Sequence, residues 1–76
     1  MKELLIFIVK NLVEHPESIS VNEVEKEGTL VLELTVDQTD MGKVIGRQGR
    51  IAKAIRTLVR SVAARDNIKV NVEILG

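Results

Sequence analysis

The chain has 76 residues, of which 45% are hydrophobic, with eleven basic and eleven acidic side chains, one histidine and no cysteine. This composition predicts one domain with a packed core, and it excludes a disordered chain, disulfide bonds and thiolate metal sites. The apolar run over residues 4–9 is too short to span a membrane and is followed by no signal-peptide cleavage site, so we predict a cytoplasmic protein with no membrane partner.

The charges are segregated along the chain, although the net charge is zero. Residues 41–65 contain seven basic side chains and no acidic one, and all eleven acidic side chains lie outside this basic window. Such a stretch is typical of a phosphate-binding surface, and the acidic remainder would repel polyanions elsewhere. A solvated basic helix face would give the same pattern, so charge alone leaves both interpretations open. The basic residues are Lys43, Arg47, Arg50, Lys53, Arg56, Arg60 and Arg65.

The first half of the chain predicts a helix and a β-hairpin. A helix is expected over residues 2–15, because apolar side chains recur at helical spacing and Pro16 disfavours helical geometry in the residue before it. Residues 18–22 and 30–36 alternate between apolar and polar side chains, which predicts two strands. The polar segment 25–28 is the predicted turn between them.

The second half predicts a short helix, a loop, a longer helix and a final strand. Thr39 or Asp40 is a candidate N-cap for a helix over residues 41–45, because a side-chain oxygen there can accept from the free amides of the first turn. After a loop over residues 46–49, the next helix has an apolar and a basic face. The apolar face is Ile51, Ile55, Leu58, Val59 and Val62, and the basic face is Lys53, Arg56 and Arg60. Residues 68–74 alternate as a strand, so the order is α-β-β-α-α-β in one α+β domain.

The loop over residues 46–49 contains two glycines that bracket two polar side chains. The first glycine can take a left-handed conformation at the helix end, and a phosphate backbone can come close to loop amides that no glycine side chain covers. The next helix would direct its free N–H groups and the positive end of its dipole to the same place. Arg50 in its first turn opposes that dipole, which favours an anionic ligand there. A tight turn between two helices with no ligand would need the same glycines.

The segment Val44-Ile45-Gly46-Arg47-Gln48-Gly49, followed by Ile51 and Ile55, resembles the signature of KH domains. In these domains the GxxG loop clamps about four nucleotides of single-stranded RNA. The element order is similar to that of the type II form, so the resemblance implies a three-stranded mixed sheet packed on three helices over residues 1–76. Residues 46–57 are especially similar to the standalone bacterial KH proteins of the KhpA type.

The resemblance also implies roles for individual apolar residues. Val44, Ile45 and Ile55 would line a groove for bases, and the main chain of the strand over residues 30–36 would form hydrogen bonds with base edges. These side chains can also belong to the core, and for Ile55 and Leu58 we favour the core.

One position departs from the pattern of the family. Many KH domains carry a larger aliphatic residue three positions after the second glycine, where this chain has Ala52, with Ile51 one step earlier. Which of these two side chains forms the floor of the base groove is therefore left open.

The charged residues around the loop are candidate contacts for RNA. For Lys43, Arg47 and Arg50 we predict contact with the ligand, because their charge has no structural use at the loop. Lys53, Arg56 and Arg60 are either further contacts or solubilising charges. The predicted RNA-binding residues are Lys43, Val44, Ile45, Gly46, Arg47, Gln48, Gly49, Arg50, Lys53 and Arg56.

Other binding and catalytic patterns are missing from the sequence. Phe7 is the only aromatic residue, which excludes the base stacking on aromatic platforms used by RNA-recognition-motif, cold-shock and OB-type proteins. The glycine spacing fits neither a dinucleotide loop nor a Walker loop. His15 is interpreted as a helix-end residue, and no carboxylate pair or metal-spaced cluster falls near the loop. We therefore predict a non-catalytic protein with no cofactor or metal.

The run over residues 4–9 is apolar around most of the helix, so part of it is a candidate contact for another chain, although the core could also take all of it. The family resemblance implies a homodimer, or a heterodimer with another KH-containing RNA-binding protein. It also implies a role as an RNA chaperone or post-transcriptional regulator. A protein-interaction adaptor and a single-stranded DNA binder stay open as alternatives, because nothing in the sequence commits to the 2′-hydroxyl.

Overall fold

A computed structural model describes residues 1–75 and confirms the α-β-β-α-α-β order and the α+β class. The elements are α1 (Lys2–Lys10), β1 (Ser20–Lys26), β2 (Thr29–Thr35), α2 (Met41–Ile45), α3 (Arg50–Arg65) and β3 (Val70–Leu75). Single 3₁₀ turns lie at Pro16–Ser18, Gln38–Asp40 and Arg47–Gly49.

The three strands form one sheet in the order β1-β2-β3. β1 runs antiparallel to β2 and β3 runs parallel to it, so the expected three-stranded mixed sheet is confirmed. β2 is the central strand and pairs with a neighbour on each side. The free main-chain edges of the sheet therefore belong to β1 and β3.

The turn between β1 and β2 consists of Glu27 and Gly28 alone. Both residues have positive φ angles, 51° and 82°, as the mirror-image turn of a two-residue hairpin requires. The predicted turn over residues 25–28 was too long, because Glu25 and Lys26 already pair with β2. β1 therefore extends further along the chain than the alternation of side chains indicated.

α1 is shorter than predicted, because it ends at Lys10 rather than at residue 15. The amides of Glu14 and His15, which would have continued the helix, donate instead to the carboxylate of Asp40 at 3.1 and 3.0 Å. Leu12, one of the residues that supported the longer helix, is 37% exposed. These two tertiary hydrogen bonds thus hold Glu14 and His15 outside helical geometry.

The core lies between the helices and one face of the sheet. Its buried members are Leu5, Val9, Val21, Leu32, Leu34, Val36, Val44, Ile55, Val59, Ala63, Val70 and Val72. The buried stripe of α3 is Ala52, Ile55, Val59 and Ala63. The core position of Ile55 is confirmed, whereas that favoured for Leu58 was wrong, because this side chain is 47% exposed. Ile51, on the same predicted apolar face, is 36% exposed. Ala52 and Ala63 are the small members of this stripe, at 4% and 0% exposed.

Candidate nucleic-acid interface

Gly46 begins the GxxG loop in a backbone conformation that favours glycine. Its φ and ψ angles are 74° and 179°, a region that other residues rarely adopt. A Cβ atom added there would lie 2.6 Å from Cγ1 of Ile51. Both the backbone angles and the space around this position therefore require glycine, and the expected positive φ at the end of α2 is confirmed.

Gln48 and Gly49 continue the loop with two successive left-handed residues, at φ angles of 56° and 73°. The Gly49 amide donates to the Gly46 carbonyl oxygen at 3.3 Å, which closes a tight turn directly before α3. A Cβ atom at Gly49 would meet nothing within 4 Å. Glycine is used here for its φ angle, and the surrounding space stays open to a ligand.

The N-terminus of α3 lies beside this open space, although the Arg50 amide itself donates to the Arg47 carbonyl oxygen. An α-helix leaves its first four N–H groups without partners inside the helix, and no side chain caps α3. Its first turn contains no acidic residue. The side chains of Arg47 and Arg50 are exposed beside it. Main-chain donors, the positive end of the helix dipole and two guanidinium groups thus occur together at one place.

The basic flank of α3 (Lys53, Arg56 and Arg60) continues from the loop toward the free edge of β3. Nε of Arg56 donates to the Val72 carbonyl oxygen at 3.1 Å, and Nη2 of Arg60 donates to Oδ1 of Asn71 at 3.0 Å. These contacts orient the two guanidinium groups and leave further N–H groups as donors. Sequence reasoning missed these β3 partners, because no local pattern links residues so far apart in the chain.

The central position of β2 corrects the expectation that the strand over residues 30–36 offers its main chain to bases. β2 pairs with β1 along its whole length and with β3 from Leu30 to Thr35. A strand paired on both sides has no row of free N–H and C=O groups. The accessible edge beside α3 is that of β3, where the Val72 carbonyl already accepts from Arg56.

Three apolar side chains were expected to line the base groove, and they lie at different depths. Val44 and Ile55 are buried in the core, at 0% and 3% exposed, whereas Ile45 is 38% exposed directly before the loop. Among these three, Ile45 is therefore the side chain that a base can touch. The other two support the position of α2 and α3.

Lys43 has structural partners, so the statement that its charge has no structural use was wrong. Its Nζ lies 3.0 Å from Oε1 of Glu14 and 3.3 Å from Oδ1 of Asp40. The hydrogen bond with Glu14 is the main cause that raises the pKa of Lys43 above its ordinary value. Contact between Lys43 and RNA stays a prediction. By contrast, Arg47 and Arg50 form no ion pair within the described residues.

Asp40 is a fully buried carboxylate at the start of α2. Burial alone would raise its pKa, but hydrogen bonds from the Glu14 and His15 amides and from Lys43 outweigh it and hold the pKa of Asp40 below its ordinary value. The predicted capping of α2 by Thr39 or Asp40 was wrong, because no side chain caps this helix. The Asp40 carboxylate instead connects α2 to the segment after α1.

An open apolar groove of about 320 Å³ lies between α1 and α3. It is lined by Ile8, Leu12, Arg50, Ile51, Ala54, Ile55 and Leu58. Ile51 therefore lines this groove, whereas Ala52 is buried. On α1, Phe7 is 58% exposed, which shows that the core does not take all of the apolar run. We call Ile51, Ala54 and Leu58 the apolar flank of α3.

The remaining titratable residues form no further site in the part of the chain that the structure describes. There, no three His, Cys, Asp or Glu side chains converge to hold a metal ion. His15 lies at the end of the segment after α1, where its Nδ1 is 3.5 Å from Oε2 of Glu17. In residues 1–75, no helix has the length and apolar character needed to cross a membrane.

Comparisons with known proteins find relatives along almost the entire chain. The family model described as KhpA/KhpB, KH domain matches residues 2–74. The RNA-binding protein KhpA of Clostridium perfringens is 59% identical over 75 residues, which cover 99% of this chain and 100% of the relative. The RNA-binding protein KhpA of Chlamydia muridarum is 56% identical with coverage of 99% and 96%. That of Listeria monocytogenes is 49% identical with coverage of 99% of each chain.

Proposed function

Because the chain belongs to the KhpA/KhpB family of KH domains, we propose that it is a non-catalytic protein that binds single-stranded RNA with its GxxG loop and the basic flank of α3. The resemblance to KH domains that the loop residues indicated is confirmed by this membership. KH domains are an RNA-binding family rather than a family of enzymes. Relatives that are 49% to 59% identical are named RNA-binding proteins, which supports the proposal.

The geometry of the loop carries the proposal. Gly46 and Gly49 have positive φ angles, and the first amides of α3 are capped by no side chain. A phosphate group of RNA can approach such amides closely and is stabilised by the helix dipole and by the exposed guanidinium groups of Arg47 and Arg50. Main-chain donors and phosphate oxygens are the same for every nucleotide. The loop would therefore bind many RNA sequences with weak preference.

From the loop, the RNA strand would run between α3 and the free edge of β3. Arg56 is already oriented by the Val72 carbonyl oxygen, so little side-chain entropy is lost when its remaining N–H groups bind a phosphate. Lys53, exposed one turn earlier in the helix, would add a second charge. Ile45 would pack against a base, and the edge of β3, rather than that of β2, would form hydrogen bonds with base edges.

The loop is tested by the double variant Arg47→Asp with Gln48→Asp. Aspartate tolerates the left-handed backbone of residue 48, so circular dichroism should show an unchanged fold. RNA binding should be abolished, because two carboxylates would face the phosphate. The control variant Lys2→Asp with Ser18→Asp removes the same net charge at exposed positions away from the loop and should bind RNA like the unaltered protein. If both variants bind equally well, the loop assignment is wrong.

The apolar groove supports a further part of the proposal, self-association as a homodimer. The groove contains one charged residue, Arg50, and its otherwise apolar lining would be covered by the same surface of a second copy in a two-fold contact. Leu58, which is 47% exposed, would be buried in that contact. Leu58→Asp should convert a dimer into a folded monomer in sedimentation velocity. A monomeric unaltered protein would contradict the homodimer and favour a second KH-containing chain as the occupant.

We also infer a cytoplasmic role as an RNA chaperone or post-transcriptional regulator, since a binder with weak sequence preference can act on many RNAs. Crosslinking in cells followed by sequencing should recover a broad set of RNAs. Recovery at the background level would favour the protein-interaction adaptor. Equal affinity for DNA and RNA strands of the same sequence would favour the single-stranded DNA binder, because the 2′-hydroxyl would then make no contribution.

A further inference from the structure

The buried Asp40 connects two segments that are distant in the sequence. Its Oδ1 accepts from the Glu14 amide at 3.1 Å, and its Oδ2 accepts from the His15 amide at 3.0 Å. Oδ1 also accepts from Nζ of Lys43 at 3.3 Å. Within residues 1–75 no other charged side chain is buried to this extent. Each oxygen of this carboxylate is therefore occupied by structural donors, and its contacts leave no room for a direct role in binding.

α2 is too short to be stable without contacts to the rest of the protein. It has only five residues, whereas isolated helices shorter than about 12 residues are marginal in water. No side chain caps it. Its position depends on Val44, which is 0% exposed in the core, and on the contacts of Asp40 and Lys43 with the segment after α1. Loss of the Asp40 contacts would leave the core contacts of Val44 and Met41 and the exposed Lys43–Glu14 ion pair to hold the helix.

The GxxG loop follows α2 without a flexible connection. The Gly46 amide donates to the Gly42 carbonyl oxygen at 2.9 Å, so the first loop residue is still part of the hydrogen bonding of α2. On its other side Gly46 is so close to Ile51 that an added Cβ atom would lie 2.6 Å from it. A shift of α2 would therefore change how the loop amides are directed toward a phosphate.

From these contacts we infer that Asp40 is a positioning residue for phosphate binding, which holds α2 and thereby the GxxG loop in the binding geometry without touching the RNA. This inference rests on the proposed RNA-binding function of the loop. A carboxylate suits this role because both oxygens accept hydrogen bonds. An asparagine would offer one acceptor and turn an NH₂ group toward one of the two main-chain donors.

The test compares Asp40→Asn with Val59→Ala, a control that removes methyl groups from the core on α3. Both variants should lose stability. Only Asp40→Asn should shift the amide resonances of residues 46–50 in the RNA-free protein. The affinity of Asp40→Asn for a short single-stranded RNA should also fall, by about tenfold if its loop keeps the binding geometry roughly a tenth of the time. This affinity is measured under conditions in which both variants are fully folded.

Unshifted loop resonances in folded Asp40→Asn would overturn the inference, as would an equal loss of affinity in Val59→Ala. If Asp40→Asn does not fold, Asp40→Glu keeps the charge on a longer side chain and should fold with shifted loop amides. Unshifted amides in that variant would also overturn it. If the unaltered protein binds no RNA, the proposed function fails, and the resonances of the RNA-free protein still decide whether Asp40 positions the loop.

Discussion

The two flanks of α3 differ in chemistry although they belong to one helix. The basic flank faces the free edge of β3, where Arg56 and Arg60 are hydrogen-bonded to neighbouring residues. The apolar flank faces α1 and lines a groove that nothing in the described part of the chain fills. The buried stripe of the helix separates them. We therefore propose that one helix binds a phosphate backbone on one side and a second protein chain on the other, with Arg50 beside both sites.

The GxxG loop contacts the apolar flank at the start of α3, where Gly46 packs against Ile51. The largest effect is therefore expected from Gly46→Ala, which adds a Cβ atom at a positive φ and against that side chain. We expect a loss of about 1–3 kcal/mol in the free energy of unfolding, together with loss of RNA binding. Thermal unfolding measures the first effect and a binding titration the second.

Gly42→Ala is the matched control for that prediction. Gly42 lies in α2, and a Cβ atom there would meet nothing within 4 Å. Alanine favours a helix over glycine by up to about 1 kcal/mol, so this variant should be as stable as the unaltered protein or more so. Equal destabilisation by the two changes would contradict the close contact that joins the loop to the apolar flank.

A smaller effect, confined to one flank, is expected from Arg56→Gln. It removes a charge that we place on the RNA path, so RNA affinity should fall about five- to tenfold. The slope of log affinity against log salt should decrease by about 0.7, the value for one phosphate contact on a single strand. The oligomeric state in sedimentation velocity should not change.

Arg65→Gln removes the same charge at the far end of α3 and should change RNA affinity less than Arg56→Gln. Equal losses would mean that RNA responds to the overall charge of the helix and not to the basic flank.

The acid dependence of stability should depend on Asp40, which connects α2 to the segment after α1, and on neither flank of α3. The pKa of Asp40 lies below its ordinary value of about 3.9 in the folded state. Its contribution to stability is therefore present above that ordinary value and is lost as the pH falls through the folded pKa. Thermal unfolding between pH 7 and pH 2 should show this loss, and Asp40→Asn should show less of it. Leu58→Ala, which leaves Asp40 intact and adds no titratable group, serves as a comparison and should retain the loss caused by this carboxylate.

The smallest effect is expected from Glu27→Asn in the β1-β2 turn, far from both flanks. Asn-Gly is the preferred pair for a two-residue turn with two positive φ angles, and Glu27 has a φ of 51°. The free energy of unfolding should rise by less than about 1 kcal/mol. RNA affinity and oligomeric state should both stay unchanged, which makes this variant a control for global changes in stability.

Local signals in the sequence were sufficient for the element order and the loop. Alternating side chains marked the strands, and the spacing of Gly46 and Gly49 marked a turn that requires positive φ angles. The C-terminal end of α1 and the partners of Lys43 could not be predicted, because both involve Asp40, a residue more than twenty positions from Glu14 and His15.

The basic flank of α3 is the predicted basic face, but the separation of its apolar flank from the buried stripe was beyond sequence reasoning. Helical periodicity placed Ile51 and Leu58 with the core side chains, since an exposed and a buried aliphatic residue look alike in sequence. Buried Ala52 and exposed Ala54 likewise look alike in sequence before their packing is known. Likewise, the central position of β2 follows from the parallel pairing of β3, which no local pattern indicates.

The amide and methyl resonances of the protein, followed during titration with a short single-stranded RNA, test the central claim most directly. We predict the largest shifts at the amides of residues 46–50 and at Nε of Arg56, with small shifts at the methyl groups of Ile51 and Leu58. Large shifts on the apolar flank with an unchanged loop would contradict the assignment of RNA to the basic flank.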